Sequence, residues 1–307
     1  TLSTYPLVTH HGTEKARQGG RTYLGILLFT SVGFLLLAVA ATWSIAGTLD
    51  FRPGGILAGK ASDTGLTVLL ALYVFGTGKA ALMPFHRWLP AAMVAPTPVS
   101  ALLHAVAVVK VGVFTVMKVV IYIFGIELLD HTGISVPLMY VAGATVLIAS
   151  LVALTKDNLK ARLAYSTVSQ LSYIILGAAL LNPDGVTGGV AHITHHAVSK
   201  ITLFLCAGSI YVSAHKTKVS ELSGLAKRMP WTMAAFALAS LSVIGIPPTC
   251  GFVSKWYLAL GTVDSGRYIL LAVLLASSLL NAAYLWPIVF KAYFAKEESP
   301  PSEEIRE

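Results

Sequence analysis

The sequence predicts an all-helical bundle of membrane-spanning segments. Its 307 residues are 55% apolar and only 12% charged, whereas a soluble domain carries about 25% charged residues. The mean hydropathy is +0.74. The apolar residues form long runs, and most basic residues lie in alternate loops between those runs. A chain of this composition has too little polar surface to fold in water, so a lipid bilayer is its expected environment.

Apolar runs long enough to cross the bilayer, which takes about 20 residues for about 30 Å of hydrocarbon, occur eight times. They are 22–46, 65–85, 99–125, 135–154, 161–181, 188–213, 231–259 and 268–290. The residues before His10 are typical of the last turns of a ninth helix, the first residue is Thr1 rather than Met, and 297–307 is a charged tail. We expect residues 1–307 to form one transmembrane domain, with N- and C-terminal helices missing from this fragment.

The distribution of Lys and Arg among the loops supports this span count. The loops at 10–21, 86–98, 155–160 and 214–230, with the tail from 291, hold 13 of them, and those at 47–64, 126–134, 182–187 and 260–267 hold three. Basic loops prefer the cytoplasmic side. We therefore expect the 214–230 loop to be cytoplasmic and the 182–187 loop external, in a bacterial-type inner (plasma) membrane.

Several function classes are disfavoured by composition. The net charge of +8 is spread over short loops, without the basic and aromatic stripe typical of nucleic-acid binding. Cys206 and Cys250 lie in apolar runs with no CxxC or iron–sulfur spacing. No Walker or dinucleotide glycine motif occurs. We expect no cofactor, no redox chemistry in this chain and no nucleic-acid partner.

Five lysines lie inside the predicted spans: Lys79, Lys110, Lys118, Lys200 and Lys255. A lysine near the bilayer centre costs roughly 2.5–3.5 kcal/mol, so it is retained for a function. All 14 Asp and Glu lie in loops, tails or span edges. The lysines are therefore either partly deprotonated or paired with groups on other helices or subunits. Lys118 is close enough to its helix end to extend to the interface; we expect the other four to form a proton path.

Histidines reinforce this hypothesis. His192, His196 and Lys200 are spaced i, i+4 and i+8, which places them on one helical stripe about 12 Å long. Imidazoles titrate near neutral pH, so the stripe is suited to a proton relay. A metal site of His192, His195 and His196, and core histidines bonded to backbone carbonyls, remain alternatives.

Prolines interrupt two of the predicted spans. Pro247 and Pro248 remove backbone donors in mid-membrane, two turns before Lys255. A second proline cluster occupies residues 84–98. Broken helices in a bilayer are tolerated where the freed backbone lines a cavity or polar path. A break beside a buried lysine therefore favours an ion path.

The segments that carry these residues resemble one known family. GTGKAALMPFHRWLPAAMVAPTPVSALLHAVAVVKVGVF, AYSTVSQLSY, HHAVSKITLFLCAGS and GIPPTCGFVSKWYL are similar to the signatures of antiporter-like proton-translocating subunits. That family includes subunits of respiratory complex I, Mrp-type Na⁺/H⁺ antiporters and membrane-bound hydrogenases. The similarity is nearest to the Mrp D-type subunits, and the other branches stay open.

The resemblance implies a role for each buried group. Lys79 is similar to the lysine of the input half-channel, paired in the family with a glutamate that would precede Thr1. Lys255 is similar to the lysine of the outlet half-channel. The residues similar to the central bridge are Lys110, His192, His196 and Lys200. The implied partners are other membrane subunits, with H⁺ and possibly Na⁺ as the ion, and the chain would act as a translocase subunit.

Two rival functions are weighed against this one. A self-contained transporter for a small organic solute would use a cavity near Trp256 and Tyr257. A purely structural membrane subunit is the other alternative. The deep charges are cationic and distributed over several helices, which favours a conducting path over a binding pocket.

Overall fold

The computed structural model describes residues 1–296 and consists of helices joined by short connections. The charged tail at 297–307 lies outside the described residues. Nine helices within 1–296 have ten residues or more. They are α1 (Glu14–Ala46), α2 (Asp63–Gly76), α3 (Thr97–Phe124), α4 (Ser135–Thr155), α5 (Leu159–Ala179), α6 (Pro183–Ala214), α7 (Pro230–Ile244), α8 (Cys250–Asp264) and α9 (Tyr268–Phe294). Two short helices, Leu2–Thr4 and Tyr5–Val8, precede α1, and another short helix, Ile126–Thr132, follows α3.

Five of these helices are long and apolar enough to cross a membrane, namely α1, α3, α4, α6 and α9, while α2 and α7 are shorter apolar helices. The predicted all-helical membrane fold is therefore confirmed. The predicted bounds need two changes. The segment 65–85 is not one helix, because α2 ends at Gly76 and a single turn, Gly78–Ala80, follows. The segment 231–259 is divided into α7 and α8 around its proline pair.

Side-chain caps fix where α5 and α6 begin. The Asn158 side chain accepts a hydrogen bond from the Ala161 N–H at 3.0 Å. Asn182 accepts one from the Gly185 N–H at 2.7 Å, with Pro183 in the first turn. Both caps satisfy donors that a helix start leaves unpaired. These two helices carry most of the polar residues described below.

Helix α5 lies at the centre of the bundle. Almost all of its residues are buried, and it packs against α4, α6 and α3. Its polar residues, which include Ser166, Ser169, Gln170 and Ser172, are consequently inside the protein and away from lipid. Helix α6 packs against α7 and α8, and α9 covers α4 and α7. The fold thus places a polar centre inside an apolar exterior, which is where the buried lysines lie.

Residues from different loops lie together at two ends of the bundle. A cleft of ≈ 960 Å³ at one end is lined by residues of the 10–21, 86–98, 155–160 and 214–230 loops. At the other end, the Asn182 side chain donates to the Gly261 carbonyl at 2.7 Å and joins the 182–187 and 260–267 loops.

Candidate functional site

The break between α7 and α8 leaves two backbone carbonyls without helical partners. Helix α7 ends at Ile244 and is capped by Gly245, whose φ of 88° lies in the left-handed region that favours glycine. In a continuous helix the carbonyls of Val243 and Ile244 would accept from the N–H groups four residues later. Those positions are Pro247 and Pro248, which have no N–H.

Lys255 binds these freed carbonyls. Its Nζ donates to the carbonyl of Val243 at 2.9 Å, to that of Ile244 at 2.8 Å and to Ser278 Oγ at 3.2 Å. The amine also lies 5.2 Å from the centre of the Tyr173 ring, within the range of a cation–π contact. The prolines therefore create the acceptors that hold a lysine from the following helix.

The predicted stripe on α6 is present and fully buried. His192, His196 and Lys200 each have 0% of their surface exposed. Lys110 of α3 meets this stripe, and its Nζ lies 2.6 Å from His196 Nδ1. The structure thus brings together four of the six residues that the sequence indicated. Lys255 joins them through further polar side chains of α5 and α9, and Lys79 lies at a separate turn.

The three neighbouring histidines differ in their partners, although His192 and His195 both contact Ser254 Oγ, His195 through Nδ1 at 3.3 Å. His192 contacts Gln170 Oε1 through Nε2 at 3.0 Å and Ser254 Oγ through Nδ1 at 2.9 Å. The His195 Nε2–H donates to the Ser242 carbonyl at 3.0 Å, the arrangement expected of a core histidine. Within residues 1–296 no group of three His, Cys, Asp or Glu side chains is placed to hold a metal ion.

Lys200 is held by hydroxyl and carbonyl oxygens of α5. Its Nζ donates to Ser166 Oγ at 2.6 Å and to the Leu163 carbonyl at 3.4 Å. The ion pairs found within residues 1–296, Arg52–Asp50 and Lys218–Glu221, both lie at the surface. Within residues 1–296 the central lysine is therefore held by neutral dipoles.

Three further polar residues of this centre were missed by the sequence analysis. Gln170 lies on α5, Asn281 and Tyr284 lie on α9, and all three are fully buried. Gln170 lies among the serines of 166–172, and Asn281 and Tyr284 follow two serines on α9. Their polarity is visible in the sequence, but the sequence does not reveal their partners. His104 was also missed: its imidazole is fully buried and neither nitrogen has a hydrogen-bond partner among residues 1–296.

Lys79 occupies a turn beside α3 and is only partly buried. Gly112 permits the contact, because a Cβ at that position would overlap the backbone of Lys79 and Ala80. The carbonyl of Gly78 accepts a bond from Trp88 Nε1 at 2.8 Å, which fixes the turn. Lys79 is therefore held in a turn between α2 and the residues that precede α3.

The amine of Lys118 contacts two aromatic rings. Its Nζ lies 4.4 Å from the ring centre of Phe51 and 4.5 Å from that of Tyr122. Phe51 belongs to the connection between α1 and α2, outside both helices. Because its charge contacts aromatic rings near a loop, Lys118 is separate from the central polar residues and provides a control position.

A family model described as "NADH:quinone oxidoreductase/Mrp antiporter, TM" matches residues 1–281. The N subunit of the NADH-quinone oxidoreductase of Desulforudis audaxviator is 36% identical over 95% of this chain and 58% of its own length. The D-type subunit of the Na(+)/H(+) antiporter of Alkalihalophilus pseudofirmus is 30% identical over 97% of this chain and 60% of its own length. This chain therefore spans less than two thirds of the length of these curated relatives.

The fold has a close counterpart among solved structures. A chain in the Mrp complex from a Dietzia species superimposes with a TM-score of 0.88 and is 30% identical. The superposition covers 99% of this chain and 56% of that one. The helix arrangement around the buried lysines is thus shared with a subunit of a multi-subunit membrane complex.

Proposed function

Because the chain belongs to the NADH:quinone oxidoreductase/Mrp antiporter family of membrane subunits, we propose that it translocates protons, or exchanges a monovalent cation for protons. It does so as a subunit of a larger complex, with other membrane subunits as partners and the bilayer as its environment. We infer a single transmembrane domain over residues 1–307, with eight spans and a stub, in a bacterial-type inner membrane. The contact between Lys110 and His196 is the observation that carries the proposal.

We infer that the Lys110 amine and the His196 imidazole share one proton. A charged lysine amine has only donors, so His196 Nδ1 must be an unprotonated acceptor when Lys110 is charged. If the imidazole takes the proton, the neutral amine becomes the acceptor. At 2.6 Å the two groups are already at hydrogen-bond distance, and a proton can pass between them without a large movement. Two charged partners would place donors face to face, which is unfavourable in a buried site.

The sequence of steps follows the position of the groups. Lys79 receives the proton at the input side, and Lys110, His196, His192 and Lys200 carry charge across the centre. Lys255 releases the proton on the outer side, where the broken helix supplies carbonyl oxygens. Each change of protonation alters the field at its neighbours, since charges interact strongly where water is excluded.

The organic-solute alternative is less well supported. Trp256 is 54% exposed and stacks on Phe252 at 5.8 Å on the outer surface of α8. The ring therefore faces the surroundings of the bundle and does not line an internal cavity. The cleft of ≈ 960 Å³ lies at the end of the bundle that is predicted to be cytoplasmic.

Proton movement in reconstituted vesicles tests the proposal. We expect the assembled complex to acidify or alkalinise the vesicle interior, reported by a trapped pH dye, when its driving reaction or ion gradient is supplied. Lys200→Met should remove this signal, because methionine keeps the length of the side chain but carries no proton. Lys118→Met should retain it. Full proton movement with Lys200→Met would exclude the central path.

The sidedness of the loops is tested by labelling single cysteines in intact cells. In a Cys250→Ser background, Thr187→Cys should react with a membrane-impermeant maleimide added outside, and Lys227→Cys should react only after the cells are opened. Thr187 is exposed near the start of α6, and Lys227 is exposed in the 214–230 loop. Cys206 is buried and serves as the unreactive reference. Outside labelling of Lys227→Cys alone would invert the proposed topology.

A further inference from the structure

The cleft of ≈ 960 Å³ at the end of the bundle that carries most of the basic loops gathers positive charge. Three lysines line it from different parts of the fold: Lys15 in the first turn of α1, Lys160 in the first turn of α5, and Lys216 just after the end of α6. Lys15 is exposed and the other two are partly exposed, so their amines can be reached. No Asp or Glu of residues 1–296 lines the cleft. The cleft therefore favours an anionic ligand.

The amine of Lys160 is held at the wall of the cleft and keeps donors for a ligand. Its Nζ donates to the carbonyl of Ala95, another lining residue, at 2.7 Å. This bond uses one of the three hydrogens of an ammonium group. A phosphate oxygen is a suitable acceptor for the others, because hydrogen bonds between an ammonium and an anionic oxygen are among the strong ones.

The starts of three helices add to the positive potential of the lysines. Helix α1 begins at Glu14, α3 at Thr97 and α5 at Leu159, and residues around each start line the cleft. The aligned peptide dipoles of a helix place about half a positive charge at its start. The side chains of Thr13 and Asn158 each accept a bond from one backbone N–H, but the dipoles remain. Amines and dipoles thus act together on this cleft.

One wall of the cleft is apolar and continues onto the outer surface of the bundle. Leu205 and Val212 of α6 form part of it and are 51% and 70% exposed. They are seven positions apart, so they lie on one face of the helix and about 10 Å apart along its axis. Tyr211 is 52% exposed beside them, and tyrosine is typical of the membrane–water interface. The wall passes from the Lys216 amine to side chains that suit the hydrocarbon region.

This combination fits a phospholipid better than a soluble anion. A free phosphate needs amines but gains nothing from an exposed apolar wall, whereas a phospholipid has a phosphate for the amines and acyl chains for the wall. Basic pockets between transmembrane helices are general sites for anionic headgroups. A phosphatidylcholine headgroup carries no net charge, so the lysines select against it.

We propose that this cleft binds an anionic phospholipid of the adjoining leaflet. Lys15, Lys160 and Lys216 hold its phosphate, and an acyl chain lies along Leu205 and Val212. The lipid joins the starts of α1 and α5 to the end of α6. None of the residues assigned to the proton path lines the cleft, so the proposal stands or falls separately from the proton-translocating function.

Photocrosslinking in the assembled complex tests the site. The complex is reconstituted in phosphatidylcholine vesicles that contain a small fraction of phosphatidylglycerol with a diazirine on its acyl chain. We expect label on the α6 peptide that contains residues 205–212. Lys160→Gln should lower this labelling about fivefold, and the same change at all three lysines about 100-fold, since each lysine near an anionic headgroup contributes a factor of about five.

Lys227→Gln is the matched control, because Lys227 is an exposed lysine of the 214–230 loop that does not line the cleft. That variant should be labelled normally. Arginine at the three cleft positions keeps the charge, so it should keep most of the labelling, which separates lost charge from lost folding. Equal labelling of the wild type and the triple glutamine variant, at equal amounts of complex, would overturn the proposal.

Three competition results distinguish the other occupants, and each would overturn the proposal. Displacement of the label by soluble glycerol phosphate would indicate a site for free phosphate. Equal competition by unlabelled phosphatidylcholine and phosphatidylglycerol would indicate that the headgroup charge is not recognised. Labelling that appears only after deletion of residues 297–307, which contain five glutamates, would assign the cleft to that segment. We expect competition by unlabelled phosphatidylglycerol alone, with the segment present.

Discussion

Lys255→Met is expected to abolish proton translocation in the assembled complex. Methionine keeps the length and apolar bulk of the side chain, but it has no proton to release. It also leaves the Val243 and Ile244 carbonyls without their lysine donor, at a cost of about 1–3 kcal/mol for each one that finds no water. We therefore expect a lower thermal midpoint as well as lost transport, measured in vesicles with a pH dye at matched protein level.

Lys255→Arg separates these two effects. A guanidinium can donate to both carbonyls, so stability should be largely kept. It cannot be deprotonated at accessible pH, so transport should still be lost. Lys118→Met is the control for removal of a lysine, because its amine contacts the rings of Phe51 and Tyr122 near the interface, away from the central polar residues. Transport by Lys255→Arg at the normal rate would show that this position needs only a fixed charge.

The outlines of the site follow from the sequence because they depend on local rules. A helical repeat of 3.6 residues suffices to place His192, His196 and Lys200 on one face. Absence of an N–H in Pro247 and Pro248 suffices to predict the break before Lys255. The partners of these groups could not be predicted in the same way. Asn281 lies on a different helix from Lys255, and only packing brings the two side chains together.

The same distinction explains the error at Lys79. Apolar composition continues through residues 65–85, so the sequence indicated one helix across the whole segment. The structure ends α2 at Gly76, and Ala81 adopts a φ of 55°. That turn is stabilised by Trp88 and by the close approach to Gly112, contacts between distant parts of the chain. Hydropathy reports that a segment is buried, but it does not report where its backbone bends.

His196→Asn is expected to stop proton translocation although it keeps a hydrogen bond to Lys110. The asparagine oxygen can occupy a place near that of the imidazole Nδ1, which lies 2.6 Å from Lys110 Nζ. An amide accepts the bond but does not take up the proton at accessible pH, whereas an imidazole does. Assembly and thermal stability should stay near normal, and the pH-dye signal in vesicles should disappear.

His215→Asn provides the matched control, since His215 is exposed at the end of α6 and its φ of 52° suits asparagine. That variant should translocate protons at the normal rate. Lys110→Met should fail together with His196→Asn, because either change removes one of the two groups that share the proton. Normal translocation by His196→Asn would mean that the imidazole only orients Lys110. The proton would then have to leave that lysine by a route that does not include the His196 imidazole.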